Sequence, residues 1–510
     1  MNLIKQGLRR PAPWSDDRFY FALLSAMTLL VALLVTMLGL DLNRNFATIA
    51  CDTAAYQSAL VNTLHGHWFR DSAYDGPNIL GQHSVFVLLL IAPVYLLYPS
   101  VETLFTLQII GVYSTVIPLY LVARELLGRP LSSFLVAATA LASPLLLHMA
   151  VAPFHPESWI LPAVLWSYFF YRRNESRGFW LGVIGAFGCG EQAALIYVSL
   201  GISLWWLDDG IAWRKRYGRW ALGAGLGWLL FTLGVLFPIM HHPQQINVMA
   251  YHYSQWNVQS APGLASALVR HPFETIGLLA SPLRWAHVAA LVGLPIVLAF
   301  TSWRSLWLLA PFPPFFLMCD QEFFLYFHAY YFQFAFFAGY LGLLLFLSRW
   351  DIASRAGTTV LASALLLNVL TLCTAASLYL EFADGNDEAF SNDLHAVFAT
   401  LPADAAVYSP HRYSAYLSNR PNMVMGDLRD ENLDFNAMLD AKFSTTNVHP
   451  EQIDYIVCDL INDQCGWRQG GYNPVATQMR VTNFNRLVQT GQWRVYWNQN
   501  DVVILQRVGK

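Results

Sequence analysis

The sequence is short of charge and of cysteine. Asp, Glu, Lys and Arg make up 12% of the 510 residues, about half of the roughly 25% that is usual in soluble proteins. Hydrophobic residues make up 55%, and the mean hydropathy is +0.39. A single soluble core stops growing at about 250–300 residues, so this much apolar surface cannot be buried against itself. The composition excludes a soluble enzyme, a disordered chain and a disulfide-rich scaffold, and it predicts a membrane protein with several spans.

Several motifs with well-defined chemistry are also missing. There is no Walker A loop, no His-Glu-x-x-His and no Cys-x-x-Cys pair. A net charge of −3 provides no basic footprint, so we expect no nucleic-acid partner. The glycines of 223–227 lie inside an apolar run with no preceding strand, which favours close helix packing over a nucleotide loop. Cys458 and Cys465 are the two cysteines that could pair if the compartment is oxidising.

Apolar runs long enough to cross about 30 Å of hydrocarbon recur through residues 19–380. We predict about eleven spans, an all-α polytopic bundle. They are Phe19–Leu40, Glu102–Ala123, Leu131–Val151, Trp159–Tyr171, Phe179–Cys189, Ala193–Leu207, Trp220–Met240, Trp285–Thr301, Leu306–Met318, Tyr330–Leu347 and Thr359–Leu378. The stretch Val85–Tyr98 is predicted to be an interfacial helix, because counting it as a span would place Arg124 and Arg129 outside.

The distribution of Lys and Arg predicts the orientation. Residues 1–18 form a basic head, and the loops predicted to be cytoplasmic carry most of the other cations before residue 380. The outer loops between spans hold only Arg44, Arg70, Arg270 and Arg284. By the positive-inside rule the N-terminus is cytoplasmic. The protein is then a multi-pass membrane protein, with its first outer loop at 41–101 inside a transmembrane domain at 19–380.

Residues 381–510 have a different composition, since charged and turn residues return. The pattern predicts a small extracytoplasmic α/β domain of a normal size for a domain. Its predicted elements are a helix at Asp387–Thr400, strands at Ala405–Tyr408 and Ile453–Asp459, a helix near Phe484–Gln489, and a hairpin pairing Trp493–Trp497 with Val502–Gln506.

On this map the ionisable residues near the membrane gather on the outer side. Asp52 and His83 fall in the first outer loop, His155 and Glu157 in a second, and Glu191 at a tight outer turn between two short spans. Further outer loops add His252 and the group Asp320, Glu322 and His328. Ionisable residues near a bilayer core are costly and usually functional. The pattern therefore predicts a site on the outer face of the bundle.

Each of these residues also has a structural interpretation. Asp52 and His83 are placed to cap helices, His155 lies in a Pro-flanked turn, and loop histidines such as His252 are often simply solvated. Glu191 fits a structural role least well, because apolar helices flank it on both sides.

The order of several short motifs resembles a known family. They are Asp52 to Gln57, Asn62, His65-Gly66, His83, Ala92 to Tyr95, Gln108, Pro118 to Tyr120, Ala123-Arg124, Phe154 to Glu157, Glu191, Leu401 to Ala405 and Asp454 to Val457. This series resembles the domain-of-unknown-function family 2079 of predicted membrane proteins of bacteria and archaea, over most of the chain. The resemblance implies that the protein lies in a bacterial or archaeal cytoplasmic membrane. Two positions depart from the family pattern, which often has Asp where Pro153 stands and charged residues where Gly190 and Gln192 flank Glu191.

That family is in turn similar in architecture to the GT-C glycosyltransferases, which use polyprenyl-phosphate sugars. The resemblance implies transfer of a sugar from a lipid-linked donor to a cell-envelope glycan, lipid or protein on the outer face, with Asp52 as the general base. It implies substrate-binding roles for Tyr56, Gln57, Asn62, His83, His155, Glu157, Glu191, His252, Arg270 and Arg284. The remaining partners are membrane lipids.

A divalent metal, Mg, Mn or Zn, is a further candidate, because imidazole and carboxylate groups suit such ions. The proposed ligands are His83, His155, Glu157 and Glu191. Two other functions stay open: a transporter or flippase, and a non-enzymatic membrane scaffold. Transporters tend to show internal repeats and polar groups at the membrane midplane, and the sequence shows neither.

Overall fold

The computed structural model describes residues 17–47, 51–73, 78–206, 212–241, 250, 252–301, 303–312, 329–349, 355–382, 387–426, 448, 450–461 and 474–509. Some expectations fall outside these ranges. They concern the basic head, Cys465, the group Asp320, Glu322 and His328, and the second half of the predicted span Leu306–Met318.

The described chain is mainly helical as far as residue 382. The helices are, in chain order, α1 (Asp17–Arg44), α2 (Cys51–Leu64), α3 (Leu88–Tyr95), α4 (Val101–Tyr113), α5 (Val116–Leu127), α6 (Pro130–Leu141), α7 (Pro144–Val151), α8 (Ile160–Arg172), α9 (Ser176–Cys189), α10 (Ala193–Trp206), α11 (Ala212–Phe231), α12 (Phe237–Met240), α13 (Ala261–Arg270), α14 (Pro272–Leu279), α15 (Pro282–Val292), α16 (Leu294–Ala299), α17 (Trp303–Leu309), α18 (Gln333–Arg349) and α19 (Arg355–Phe382). A π-helical turn at Thr232–Leu236 joins α11 to α12.

The long outer helices have apolar surfaces that the protein itself does not cover. On α1, Leu29, Leu33 and Met37 are more than half exposed, and so are Leu230 and Ile239 on the continuous helix Ala212–Met240. Exposed apolar surface of this extent marks contact with lipid. Among the described residues, four helices are long and apolar enough to cross a membrane, or five if the pair α6–α7, bent by 46°, counts as one span. The number of about eleven spans therefore stays a prediction.

Both boundaries of one predicted span are wrong. The predicted span Trp285–Thr301 is broken between α15 and α16 at Gly293, which has a φ of +78°. Such a φ favours glycine, and a Cβ at this position would also collide with the side chain of Asn368. The apolar helix extends the other way, over Pro272–Val292.

Helix α11 confirms close helix packing rather than a nucleotide loop at one of its glycines. A Cβ on Gly225 would lie 2.7 Å from the carbonyl oxygen of Ala194 on α10. Gly223 and Gly227 face open space, so only the middle glycine of the run serves this contact.

The C-terminal region forms a five-stranded mixed sheet with helices. Its elements are α20 (Glu388–Thr400), β1 (Val407–Ser409), α21 (Ser414–Leu417), β2 (Met423–Met425), β3 (Tyr455–Asp459), α22 (Pro474–Gln489), β4 (Trp493–Gln499) and β5 (Val502–Arg507). The strand order is β2-β1-β3-β5-β4. Strands β2, β1 and β3 are parallel, while β5 and β4 are antiparallel additions. The helix at 387–400 and the final hairpin match the prediction, whereas β2 was not predicted because its three residues are too short to show a period.

Candidate functional site

Helix α2 carries two of the predicted site residues on one face. Asp52 and Tyr56 are four residues apart, so their side chains lie one above the other on the helix surface. Asp52 lies in the first turn, where the helix dipole favours a negative charge. Its side chain is 36% exposed, whereas Tyr56 is 3% exposed. The helix thus presents an accessible carboxylate above a buried phenol.

The loop between α7 and α8 brings His155 to Asp52. His155 Nε2 lies 3.5 Å from Asp52 Oδ2, and His155 is 5% exposed. The other ring nitrogen, Nδ1, lies 3.0 Å from the carbonyl oxygen of Pro153. Because a carbonyl can only accept, Nδ1 carries a hydrogen, and Nε2 is the nitrogen that faces the carboxylate. A second link supports this pair, since the backbone N–H of Phe154 donates to Thr53 Oγ1 at 2.9 Å.

A buried glutamine of α4 fixes the shape of this loop. The amide nitrogen of Gln108 donates to the carbonyl oxygens of Met149, Ala152 and Pro153 at 2.9–3.1 Å. Its oxygen accepts from the backbone N–H of His155 at 2.6 Å. Buried backbone polar groups need partners, so one fully buried side chain satisfies a turn that would otherwise be left unpaired.

Glu157 and Glu191 both approach the same ring nitrogen of His83. His83 Nδ1 is 3.5 Å from Glu157 Oε1 and 3.4 Å from Glu191 Oε1. At these distances the groups interact mainly through their charges, because the separations are longer than that of a short hydrogen bond. Each carboxylate has a second anchor: Tyr56 OH donates to Glu157 Oε1 at 2.9 Å, and the backbone N–H of Ser84 donates to Glu191 Oε2 at 3.1 Å.

Gly190, the residue before Glu191, leaves room for the side chain of Glu157 to pack against it. Gly190 ends α9, and a Cβ there would lie 2.9 Å from Glu157 Cγ. Real Cβ atoms essentially never come so close, so any other residue would displace the Glu157 side chain. The pair Gly190-Glu191 therefore supplies one carboxylate and leaves room for the other.

The charges in this group shift one another's pKa values. Burial alone would lower the pKa of His83, but the nearby Glu191, Glu157 and Asp52 outweigh it and raise the pKa to about 9. Burial raises the pKa of Glu157, against the opposing effect of His83 and His155. For Glu191, burial works in the raising direction, but the contact with His83 and the backbone hydrogen bonds lower the pKa. At neutral pH His83 is thus an imidazolium beside an ionised Glu191.

We call Asp52, Tyr56, His83, His155, Glu157 and Glu191 the charge cluster. Its two halves meet at Tyr56, whose ring centroid lies 5.7 Å from that of His155 and whose hydroxyl binds Glu157. The four residues on which the single-site prediction depends, Asp52, His83, His155 and Glu191, therefore converge at one end of the bundle. The two remaining members, Tyr56 and Glu157, were also predicted site residues.

The other predicted residues lie in different surroundings. His252 is 8% exposed, and burial, with repulsion from His83, lowers its pKa to about 4, so it is a neutral imidazole within electrostatic range of the cluster. Arg270 is exposed at the end of α13, and Arg284 is buried in the first turn of α15. Gln57 and Asn62 are fully buried. Gln57 bonds to Tyr95 and Ser418, and Asn62 to Ser58 and Ser72.

The predicted metal ligands do not form a ligand set in this geometry. Within the described part of the chain, no three His, Cys, Asp or Glu side chains are arranged to share a metal ion. His155 Nε2 faces Asp52, whereas His83 Nδ1 lies next to Glu157 and Glu191. Metal dependence stays a prediction for chelation experiments.

Sequence reasoning did not assign Gln108 or Tyr95 a role in this site. Gln108 is a fully buried polar residue inside an apolar helix, and that contrast was visible in the sequence. Tyr95 accepts from Gln57 at 2.8 Å, a pairing that depends on how α3 packs and leaves no signal in the sequence.

A family model of predicted membrane proteins matches residues 44–504, a range that includes the whole charge cluster and the C-terminal sheet. The chain belongs to this family, DUF2079. The membership confirms the resemblance deduced from the motifs. No curated protein matches the sequence.

Two solved structures have a similar fold over nearly the whole of both chains. The DUF2079 chain is similar to ArnT from Cupriavidus metallidurans bound to undecaprenyl phosphate, with a TM-score of 0.51 and 12% identity, over 95% of this chain and 98% of that one. The apo form of the same ArnT gives the same TM-score and identity, over 94% and 97% of the two chains. At this identity the likeness shows the fold, here a helical bundle with a small C-terminal sheet.

Proposed function

We propose that this protein is a membrane glycosyltransferase that transfers a sugar from a polyprenyl-phosphate donor to a cell-envelope acceptor on the outer face of the membrane. The observation that carries the proposal is the accessible carboxylate of Asp52 at the edge of a buried charge cluster, in a fold similar to ArnT, which was solved with undecaprenyl phosphate bound. Fold likeness alone does not establish an activity, so the residues of the cluster carry the chemistry.

Asp52 is the general base in this proposal. An acceptor hydroxyl attacks the anomeric carbon of the donor sugar, and its proton passes to the Asp52 carboxylate. The bond between that carbon and the phosphate oxygen breaks, and its electron pair stays on the phosphate. His155 lies behind Asp52 with Nε2 toward the carboxylate, which fixes the orientation of the base.

The negative charge that develops on the leaving phosphate needs a cation nearby. His83 is the cation of the cluster, since its pKa is raised to about 9 and its side chain is 26% exposed. Arg270, which was predicted in an outer loop, and Arg284, which is buried within the apolar helix Pro272–Val292, are further candidates for contact with the phosphate of a bound donor.

The membrane orientation belongs to this proposal as well. The charge cluster and the C-terminal domain lie on the outer side, and the N-terminus lies in the cytoplasm, as the positions of Lys and Arg predict.

A transfer assay tests the proposal directly. Purified protein in nanodiscs is given a panel of polyprenyl-phosphate sugars and cell-envelope acceptors, and wild type is compared with Asp52→Asn. We expect Asp52→Asn to lose about 10²–10⁴-fold in kcat, the usual contribution of general base catalysis. Asp41→Asn is the matched control, because Asp41 is an exposed carboxylate near the end of α1.

Three outcomes of this assay discriminate between functions. Loss in Asp52→Asn with activity kept in Asp41→Asn supports a glycosyltransferase. Donor binding without transfer by any pair would favour a transporter or flippase, and neither binding nor transfer would favour a scaffold. An arm with EDTA tests metal dependence separately.

A further inference from the structure

We propose that residues 414–421 of the C-terminal domain are a positioning element for Asp52, holding α2 and α4 in the register that sets the Asp52–His155 contact. The inference rests on the proposed function only in calling Asp52 the base. It concerns a segment far along the chain from the cluster, and it gives Gln57 a role different from the substrate binding predicted for it.

The first contact joins this segment to α2. Ser418 Oγ lies 3.1 Å from Gln57 Oε1, toward which it donates, and Gln57 Nε2 donates to Tyr95 OH at 2.8 Å. Ser418 Oγ also lies 3.0 Å from the carbonyl oxygen of Ala415, so its one hydrogen is shared between two acceptors. All of these groups are buried, so no water is available to replace a lost partner. Gln57 follows Tyr56 directly, which couples this link to the cluster.

The second contact joins the segment to α4. Ala415 and Tyr416 of α21 pack against Val101 and Phe105 in the first turns of α4. Gln108, which fixes the His155 loop, lies one turn further along the same helix. The short helix α21 therefore touches both the helix that carries Asp52 and the helix that places His155.

Other contacts of the same domain reinforce the arrangement around α2. Ala54, two residues after Asp52, belongs to the hydrophobic core of the C-terminal domain, and so do Phe46 and Ala73. The carbonyl of Ala73 accepts from the backbone N–H of Met425 at 2.8 Å. Ser72 Oγ donates to the carbonyl of Pro421 at 2.9 Å. Both flanks of α2 are thus packed into the domain whose segment also touches α4.

A positioning role predicts a specific kinetic signature. If Ser418 and Gln57 act only by placing Asp52, their loss slows the chemical step and leaves donor binding intact, because a displacement of about 1 Å can cost up to about 10²-fold in rate. If Gln57 instead bound substrate, its loss would raise KM. The split between kcat and KM therefore separates the two roles.

The experiment uses full-length protein with Ser418→Ala, Gln57→Leu and the double variant. We expect kcat to fall about 10-fold in each, with donor KM within about twofold, and the double variant to be no worse than the single ones because the two residues act as one unit. Ser418→Thr, which keeps the hydroxyl, restores kcat. Ser409→Ala is the matched control, since Ser409 is also fully buried but donates to Pro410 within its own domain.

Hydrogen exchange of the α2 amides provides a readout that needs no donor. We expect faster exchange across 51–64 in Ser418→Ala than in Ser409→Ala. If Ser418→Ala exchanges faster but the wild-type protein transfers no sugar, the proposed function is contradicted and the positioning role is supported. Unchanged exchange, or a raised KM at constant kcat, would overturn the positioning role whether or not the enzyme is active.

Discussion

The two ends of the helix pair α8–α9 carry opposite chemistry. At one end, Glu157 precedes α8 and Glu191 follows α9, and both are enclosed by fixed partners. At the other end, Arg172, Arg173 and Arg177 surround the turn, and Arg173 forms ion pairs with Glu175 and Glu125 at 2.9 and 3.4 Å. The Arg173 side chain is 38% exposed there, whereas Glu157 is fully buried.

This contrast indicates that the number of charges at one end of a helix pair does not decide how much each charge contributes to stability. Exposed ion pairs are screened by water and are worth little, while buried charges are costly unless each is compensated. The carboxylate end contains few charges, each with defined neighbours, and is therefore sensitive to small changes. The arginine end contains many charges and tolerates losing one.

The largest expected effect is the pH dependence of the carboxylate end. The pKa of His83 is raised to about 9, so its stabilising contribution is present in full below about pH 6.5 and is lost as pH rises through 9. The lowered pKa of Glu191 acts at the acid side, where stability falls as pH drops below about 4.5. We expect wild type to lose about 3 kcal/mol at most between pH 6.5 and 10.

Thermal unfolding in detergent at pH 6.5, 8 and 10 measures this loss. The raised pKa of Glu157 acts in the same direction, so wild type is compared with His83→Gln to measure how much of the loss needs the histidine. His83→Gln should show a flatter profile between pH 8 and 10. Parallel profiles for the two proteins would mean that His83 is not held as a cation.

The next effect is steric, and two glycines of the same helix end provide a matched pair. Gly190→Ala should displace Glu157 and destabilise the protein by about 1–3 kcal/mol, since its Cβ would meet Glu157 Cγ at 2.9 Å. Gly188→Ala, whose Cβ would lie 3.7 Å from the backbone nitrogen of Val87, should be neutral or slightly stabilising. Melting temperatures of both variants test the difference, and equal values would contradict the close approach.

The smallest effect is expected at the arginine end. Arg173→Gln breaks both exposed ion pairs but should change stability by less than about 1 kcal/mol. The same unfolding assay at low and high salt measures it. A loss as large as that of Gly190→Ala would show that the arginine end is as tightly organised as the carboxylate end.

Much of the fold could be predicted because hydropathy and helix signals are local. The elements α8, α9 and α10 correspond to predicted apolar runs, and the hairpin β4–β5 matches its alternating pattern. The helix break at Gly293 was not predicted, because the glycine is required there by the close approach of Asn368 from a helix distant in sequence. Such tertiary contacts override local propensity.

The candidate site was predictable in its members but not in its contacts. Asp52, His83, His155, Glu157 and Glu191 stood out as ionisable residues among apolar runs, and that contrast is a property of the sequence. The family resemblance grouped Gln57 with them, although its side chain bonds to Ser418, 361 positions away. Nothing in the local sequence distinguishes a glutamine that faces substrate from one that faces another domain.

Composition and motif order alone establish that the protein is a membrane protein, which family it belongs to, and which ionisable residues interrupt its apolar runs, because these features need no knowledge of packing. The contacts of His83 with Glu157 and Glu191, of His155 with Asp52, and of α21 with α2 and α4 depend on the folded chain. The physical reason is that a buried charge is defined by its neighbours, and those neighbours come from segments that only folding brings together.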